Sequence, residues 1–193
     1  HEKYHPLFRS YRNKFGYHDI FLIDDKTGEI VYSVLKEVDY ATSLLTGPFK
    51  QSSIADVFQK TLKHEDTKQV NFTDFKYYRP SYGAPAAFLG SPIYEKKKRI
   101  GILVFQLPVK PINEIMTGDG NWLKDGLGQT GETYLVGPDG LMRSMSRFLI
   151  EDRDAYFNEL RNLAYSEKEI QKLDKYNTSI LLQNVGTPAA KRA

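Results

Sequence analysis

The side chains best suited to bind a ligand lie where a predicted strand over residues 70–78 ends. Tyr78, Arg79 and Tyr82 form an aromatic and basic group at this point. An Arg guanidinium can hold a carboxylate through two parallel hydrogen bonds, and a Tyr hydroxyl can donate another. The alternative is that Tyr78 is a core residue and Arg79 a solvated edge residue. The first interpretation predicts a ligand-binding site at this turn.

Three further residues are predicted to contribute to the same pocket: Asp74, Phe88 and Gln106. Phe88 and Gln106 lie on neighbouring predicted strands and share a face if the strand registers align. On the strand that carries Asp74, both faces hold aromatic and charged side chains, so the sequence does not decide which face points inward. A pocket needs an apolar wall with a few converging polar groups. We therefore expect it to be bounded by residues 74–90 and 102–106.

No sequence pattern indicates catalysis, a metal site or a cofactor. The motifs GxSxG, HExxH and GxxxxGK[ST] are absent, and the four histidines are scattered. Gly126, Gly128 and Gly131 form a G-x-G-x-x-G pattern, but it precedes a predicted strand, which is the wrong order for holding a phosphate. The sequence contains no cysteine, which excludes thiol catalysis, disulfides and thiolate metal sites. The chain is therefore predicted not to be an enzyme itself and to have no metal and no cofactor.

Composition and charge narrow the class of protein further. The 193 residues are 40% hydrophobic and 13% aromatic, which is enough to bury a core. With 27 Lys and Arg against 24 Asp and Glu, nothing favours nucleic acid as a partner. The basic run 96–99 is predicted to be a solvated hairpin turn, and the alternative is a surface for lipid headgroups or a partner. The sequence has no apolar stretch of membrane-spanning length.

The elements that would position these residues follow a clear order. Residues 2–14 have helical spacing, and Gly16 ends that helix. A helix is also predicted from Ser52 to Leu62. Five strands are predicted, two before this helix and three after it, at residues 17–24, 29–35, 70–78, 86–94 and 99–107. This order predicts an α+β fold, in which a PAS-like module has one five-stranded antiparallel sheet with helices on one side.

A repeat indicates a second module of the same kind. Residues 21–33 read FLIDDKTGEIVYS and residues 134–144 read YLVGPDGLMRS. Each is an apolar run, an Asp-Gly or Asp-Lys-Thr-Gly turn and a second run, which is typical of a β-hairpin. The residues after 148 are predicted to form a charged helical region at 151–175 and a short strand at 179–183. The second unit is therefore expected to be an incomplete PAS-like module.

At these residues the sequence resembles the double-Cache (PDC, PAS-like) extracytoplasmic sensor domains of bacterial transmembrane signalling receptors. The resemblance covers residues 15–148 and is weak beyond them. It is carried by four stretches, FGYHDIFLIDDKTGEIVYSVLKEVDYATSL, FTDFKYYRPSYGAPAAFLGSPIY, RIGILVFQLPVKPINEIM and GLGQTGETYLVGPDGLMRSMSRF. It implies four segments: the end of an N-terminal helix (1–14), a membrane-distal Cache module (15–116), a linker (117–131) and a truncated, membrane-proximal module (132–193).

The resemblance also implies a function. Such domains lie in the periplasm, between two transmembrane helices of an inner-membrane protein. They bind a small molecule and drive a cytoplasmic chemotaxis, histidine kinase or nucleotide or cyclic-dinucleotide cyclase output. A homodimer is a further expectation. The alternative is a structural spacer or a protein-interaction or dimerisation module, in which the chain's own aromatic residues fill the pocket.

Two departures from the family concern the ligand. Double-Cache receptors for amino acids carry an Arg-x-Trp-Tyr element before the third strand and an Asp that ends the fifth strand and binds the ligand amine. This sequence lacks that element, and its one Trp, Trp122, falls in the linker. Gln106 occupies the place of the Asp, and a neutral amide cannot neutralise an ammonium group. A free α-amino acid is therefore disfavoured, and an acidic or planar ligand is expected.

Overall fold

The computed structural model describes residues 2–64, 68–190 and 192. The chain forms two compact units, His1–Pro108 and Val109–Ala193. In the described part of the first unit there are two α-helices, five strands and a 3-10 turn at Arg79–Ser81. In chain order the helices and strands are α1 (His5–Phe15), β1 (Asp19–Ile23), β2 (Ile30–Ser33), α2 (Ser53–Leu62), β3 (Asn71–Tyr78), β4 (Ala84–Glu95) and β5 (Lys98–Leu107).

Over the residues described, the strands of the first unit form one sheet in the order β2-β1-β5-β4-β3. Every neighbouring pair is antiparallel. The predicted five-stranded antiparallel sheet is confirmed. Its strands lie close to the predicted ranges because apolar and polar residues alternate along them, with turn residues between.

Helix α2 covers one face of this sheet. Ile54, Val57 and Phe58 of α2 are buried in one cluster with Phe21, Phe88 and Val104 of the strands. Helix α1 meets the opposite face, where Tyr11 approaches Phe105 at 6.4 Å between ring centroids. Since Phe105 follows Val104 on β5, the two side chains point to opposite faces of the sheet. The α2 face is the one that carries the polar residues described below.

The basic run is the turn between β4 and β5. Lys96, Lys97 and Lys98 are exposed, and Lys96 has a left-handed φ of 56°. Arg99 differs, since it is half-buried and donates to the Leu62 carbonyl oxygen at 3.0 Å. The lysines therefore form the predicted solvated turn, whereas the Arg99 side chain connects β5 to the end of α2 through a hydrogen bond.

The second unit contains four α-helices within residues 109–190. They are α3 (Val109–Thr117), α4 (Arg147–Glu151), α5 (Arg153–Asn162) and α6 (Glu167–Tyr176). The sequence predicted the boundary between the modules after residue 116, whereas the compact units divide after Pro108. Helix α3 belongs to the second unit because Asn113 Oδ1 accepts a hydrogen bond from the Met145 N–H at 2.6 Å.

The predicted hairpin at residues 132–148 is only a bridged turn. Val136 and Met142 form an isolated bridge. Beyond it, the Met142 N–H donates to the carbonyl of Gln183, and the Met142 carbonyl accepts from Leu181. Residues 179–183, predicted as a short strand, form this turn-like partner instead. The backbone N–H and C=O groups of this segment therefore pair with nearby turns. Apart from isolated bridges, no β-strand is present in residues 109–190.

The helical region predicted at 151–175 is two helices, α5 and α6. Ser166 begins α6 with a capping box, since its side chain and that of Glu169 each pair with the other's backbone N–H. The helices bury a cluster that includes Tyr156, Leu160 and Leu173. None of the described helices combines the length and apolar character needed to cross a bilayer.

Candidate functional site

Asp19 begins β1 and points into the core. Alternation along the strand puts it on the same face as Phe21 and Ile23, and none of its surface is exposed. Its Oδ1 accepts three backbone N–H groups, from Ile20 at 2.7 Å, Val34 at 2.9 Å and Leu35 at 3.2 Å. Its Oδ2 is buried without a hydrogen-bond partner. One oxygen of this carboxyl group is therefore fixed, and the other is left available.

Gln106 lies directly opposite Asp19 across the β1–β5 pair. Its Nε2 donates to Ser81 Oγ at 3.1 Å, and Ser81 Oγ donates to Glu37 Oε2 at 2.6 Å. The Oε1 of Gln106 is buried and unpaired. The hydrogen bond from Nε2 to Ser81 in the 3-10 turn thus orients the amide of Gln106. Its oxygen remains free to accept a hydrogen bond.

Asp39 and Tyr78 form the third part of the site. The Tyr78 hydroxyl donates to Asp39 Oδ2, and both side chains are buried. The Tyr78 ring meets Phe88 edge-on with 5.0 Å between centroids. Asp39 Oδ1 has no partner. The charges of Asp19, Glu37 and Asp39 influence one another, which links this pair to the residues above. The six residues are called the polar cluster below: Asp19, Glu37, Asp39, Tyr78, Ser81 and Gln106.

The pKa values of the cluster reflect burial and mutual repulsion of carboxylates. Burial raises the pKa of Asp19 from 3.8 to about 6, against the three backbone N–H bonds, and the charge of Asp39 adds to the rise. Burial also raises the pKa of Asp39, and the charge of Glu37 adds to the rise, whereas the Tyr78 hydroxyl and the backbone N–H groups of Asp39 and Tyr40 oppose it. The pKa of Tyr78 is raised by burial and by the same three carboxylates. Burial and the mutual repulsion of these acids therefore raise the pKa values of all three groups.

The rim of the polar cluster carries His18. Its Nε2 lies 3.8 Å from Glu37 Oε1, and its backbone carbonyl accepts from Arg12 Nε at 2.7 Å. The imidazole is about a third exposed, whereas Glu37 is mostly covered. His18 therefore borders both the cluster and solvent.

The structure brings together three of the six residues that the sequence placed in a pocket. Tyr78 and Phe88 are in contact, and Phe88 lies opposite Gln106 in the β4–β5 register. Asp74 lies in a bulge of β3 and accepts from the N–H of Phe75 at 2.7 Å.

The remaining two residues, Arg79 and Tyr82, lie on the surface. Arg79 is exposed, and Tyr82 is 100% exposed at a left-handed φ of 55°. The expectation of an acidic or planar ligand depended on Arg79 as the one cation of the pocket. Because the turn after β3 carries its side chain outward, the cluster does not contain that cation.

Sequence reasoning missed Asp19 and Asp39. A signal for Asp19 was present, because in DIFLI the period of two puts it on the face of Phe21 and Ile23. A charged residue on a core face indicates a functional site. Asp39 carries no such signal, since it lies in the irregular segment after β2.

No metal site accompanies the cluster in the part of the chain that the structure describes. Among those residues, no group of three or more His, Asp or Glu side chains is arranged to hold a metal ion. The polar cluster therefore has to be interpreted through its hydrogen-bonding atoms and its charge.

The sheet order, the helix α2 on one face and the polar side chains on that face define the class: the first unit has the PAS-like fold of Cache sensor domains. Neither a protein-family model nor a curated protein matches the sequence. Solved structures do match it, among them sensor domains of bacterial receptors.

One such structure is the ligand-binding domain of the Campylobacter jejuni chemoreceptor Tlp3 in complex with 4-methylisoleucine. It has a TM-score of 0.51 and 16% identity, over 72% of this chain and 48% of that chain. The complex of the Tlp3 domain with L-valine also gives a TM-score of 0.51 and 16% identity, over 90% and 60%. The sensor domain of the V. cholerae histidine kinase DctB gives 0.42 and 16%, over 58% and 39%. The chain thus spans about half the length of these domains.

Proposed function

We propose that this chain is an extracytoplasmic ligand-sensing domain of a bacterial transmembrane receptor, and that the polar cluster binds its small-molecule ligand. The observation that carries the proposal is the set of unpaired buried oxygens: Asp19 Oδ2, Asp39 Oδ1 and Gln106 Oε1. Leaving a buried polar atom unpaired costs about 1–3 kcal/mol. A ligand that supplies donors to these atoms would recover that free energy.

The shared fold supports the proposal but does not carry it, because one fold hosts many functions. The two Tlp3 structures hold L-valine and 4-methylisoleucine in a ligand-binding domain of this fold. In this chain the buried polar atoms lie on the sheet face beneath the 3-10 turn and the segment after β2. A small ligand enclosed at that position would contact β1, β5 and both covering segments, which couples occupancy to the shape of the module.

The receptor around this domain is part of the proposal. It would sit in the inner membrane, with this chain in the periplasm between flanking transmembrane helices. Its output would be a chemotaxis, histidine kinase or cyclase domain, so that this chain senses and another part of the protein acts. A homodimer is the arrangement in which a movement of this module would reach such an output.

The second candidate, a structural spacer or dimerisation module without a ligand, fits the aromatic filling of the core by Tyr78 and Phe88. It does not explain why three buried side chains keep an unpaired oxygen on one face of the sheet. In a purely structural core, buried polar groups pair with one another or are replaced by apolar residues. We therefore favour the sensor.

A thermal-shift screen of amines, amino acids, organic acids and sugars tests the proposal. A compound that raises the melting temperature is then measured by calorimetry on the wild type and on Gln106→Ala, with Gln51→Ala as the control because Gln51 is exposed. We expect Gln106→Ala to weaken binding about tenfold and Gln51→Ala to leave it unchanged. Equal affinity for all three proteins would place the site elsewhere, and a screen without any hit would favour the spacer.

A further inference from the structure

We propose that the polar cluster selects an organic cation, namely the primary ammonium group of a ligand that has no carboxylate beside it. This inference rests on the proposed function and names its ligand class. It follows from the kind of atom that the cluster leaves unpaired, from its charge and from the position of the nearest cationic side chains.

The unpaired oxygens match the donors of an ammonium group in number and in kind. Asp19 Oδ2, Asp39 Oδ1 and Gln106 Oε1 are all acceptors, and a primary ammonium has three N–H donors and no acceptor. The other oxygen of each Asp and the nitrogen of Gln106 are already engaged. A ligand carboxylate brings acceptors only, and it would leave all three oxygens unpaired.

The charge of the cluster favours a cation in the same way. Its three carboxyl groups are Asp19, Asp39 and Glu37, and the pKa values of Asp19 and Asp39 are both raised. None of the hydrogen bonds that join the cluster in the described chain involves a Lys or Arg side chain. Burying a pair of carboxylates is costly, and a ligand cation between them lowers that cost.

Three basic side chains near the cluster are engaged with other groups or exposed, and the fourth, His18, faces Glu37 at 3.8 Å. Arg12 donates to the His18 carbonyl, and the Lys36 ammonium lies 5.9 Å above the Tyr40 ring. Arg79 is exposed. The carboxylate of an α-amino acid would be buried beside the carboxyl groups of Asp19 and Asp39, which repel it. This distinguishes a simple amine from an amino acid.

The acid that binds an amine is displaced by one strand from the place that the family resemblance implies. That place, the end of β5, holds Gln106, and its neutral amide was the reason to disfavour an amine. Asp19 is its direct partner on β1. An ammonium group between the two strands therefore meets a carboxylate after all, with the amide oxygen as a second acceptor.

A set of three compounds of one shape tests the inference on the full 193-residue chain. L-valine carries an ammonium and a carboxylate, isobutylamine carries only the ammonium, and 3-methylbutanoate carries only the carboxylate. By calorimetry we expect isobutylamine to bind about tenfold or more tightly than L-valine, and 3-methylbutanoate not to bind.

Two isosteric variants then locate the contact. Asp19→Asn keeps an oxygen for the three backbone N–H groups and changes only the unpaired atom. Asp39→Asn keeps an oxygen for the Tyr78 hydroxyl in the same way. Each is expected to weaken isobutylamine binding about tenfold or more while circular dichroism stays unchanged. Arg79→Ala is the control, and its affinity should stay within about twofold of the wild type.

The outcomes separate the inference from the proposed function. Tighter binding of 3-methylbutanoate, lost in Arg79→Ala, would overturn the ammonium inference and leave a ligand sensor. A hit from the sugars, with no binding of isobutylamine, would do the same. If no compound of the broad screen binds, and the two Asn variants only raise the melting temperature, both the inference and the sensor are wrong.

Discussion

At the scale of single residues, the two carboxyl oxygens of Asp19 and of Asp39 differ, because one is fixed by hydrogen bonds and the other is open. Asp19 Oδ1 gathers three backbone N–H groups where β1 starts and β2 ends, while Oδ2 is left without a partner. In Asp39, Oδ2 accepts a hydrogen bond from the Tyr78 hydroxyl and Oδ1 has no partner. The fixed oxygens hold both carboxyl groups in place, which orients the open oxygens for the proposed ligand.

Asp19→Asn should make stability less dependent on pH. The pKa of Asp19 in the folded chain is about 6, above its ordinary 3.8, so ionising Asp19 destabilises the fold as pH rises from about 4 to 6. The variant removes this loss. Chemical denaturation should show a gain in the free energy of unfolding that is about 2 kcal/mol larger at pH 7 than at pH 4. An equal gain at both pH values would contradict a buried, ionising Asp19.

Tyr78→Phe should destabilise the first unit by about 1–3 kcal/mol, because Asp39 Oδ2 then joins Oδ1 as a buried oxygen without a donor. Tyr82→Phe removes the same hydroxyl from a fully exposed side chain and should be neutral. Urea denaturation of both variants makes the comparison. Equal stabilities would show that the Tyr78 hydroxyl is not engaged with Asp39.

The affinity for isobutylamine should rise with pH between about 5 and 7. The amine remains protonated over this range, whereas Asp19, with a pKa of about 6, must lose its proton to bind it. Below pH 6 the affinity should fall by up to about tenfold per pH unit. Asp39, Glu37, Tyr78 and His18 also face the site, so Asp19→Asn is the matched protein in which the dependence should flatten. An unchanged dependence in that variant would assign the proton to another group.

At the scale of elements, the contact of α2 with β4 depends on a glycine. A Cβ on Gly90 would lie 2.7 Å from Thr61 Oγ1 and 3.0 Å from Val57 Cγ2. Gly90→Ala should therefore lower the melting temperature, with a loss of about 1–3 kcal/mol, because α2 has to move off the sheet. Gly186→Ala is the control, since nothing lies within 4 Å of the added atom. A neutral Gly90→Ala would show that α2 adapts without loss.

The sequence predicts the elements better than it predicts the site. Phe88 and Gln106 were placed on one face because alternation and register are local properties of strands, and the observed pairing of the two agrees. Arg79 and Tyr82 were grouped with Tyr78 by nearness in sequence, but the 3-10 turn directs them outward. Asp39 reaches the cluster from an irregular segment, and its contact with Tyr78 spans 39 residues. Such a contact depends on tertiary packing that no local pattern encodes.

At the scale of the whole molecule, the two units differ in their secondary structure. All strands of the described sheet, α1, α2 and the polar cluster lie within His1–Pro108. The second unit has its own cluster of buried side chains, centred on α5 and α6. Apart from isolated bridges, residues 109–190 contain no β-strand. The first unit thus has the core and the sheet of a self-contained domain.

Residues 1–108 expressed alone should therefore fold and bind the ligand with the affinity of the full chain. Circular dichroism should show a cooperative melt, and calorimetry with the same compound should give an unchanged dissociation constant. The matched preparation is the 193-residue chain in the same buffer. A fragment that melts without cooperativity would mean that the second unit is required for the fold of the first.

If the polar cluster binds a ligand as proposed, its burial also limits how quickly binding takes place. Asp19, Asp39, Tyr78 and Gln106 are at most 2% exposed, so the covering segments have to part before a molecule enters. Entry can then be no faster than this opening, and the observed rate levels off as concentration increases. Departure waits for the same event. A receptor built on this module would average over the lifetime of the closed form, following slow trends in its surroundings and ignoring brief fluctuations.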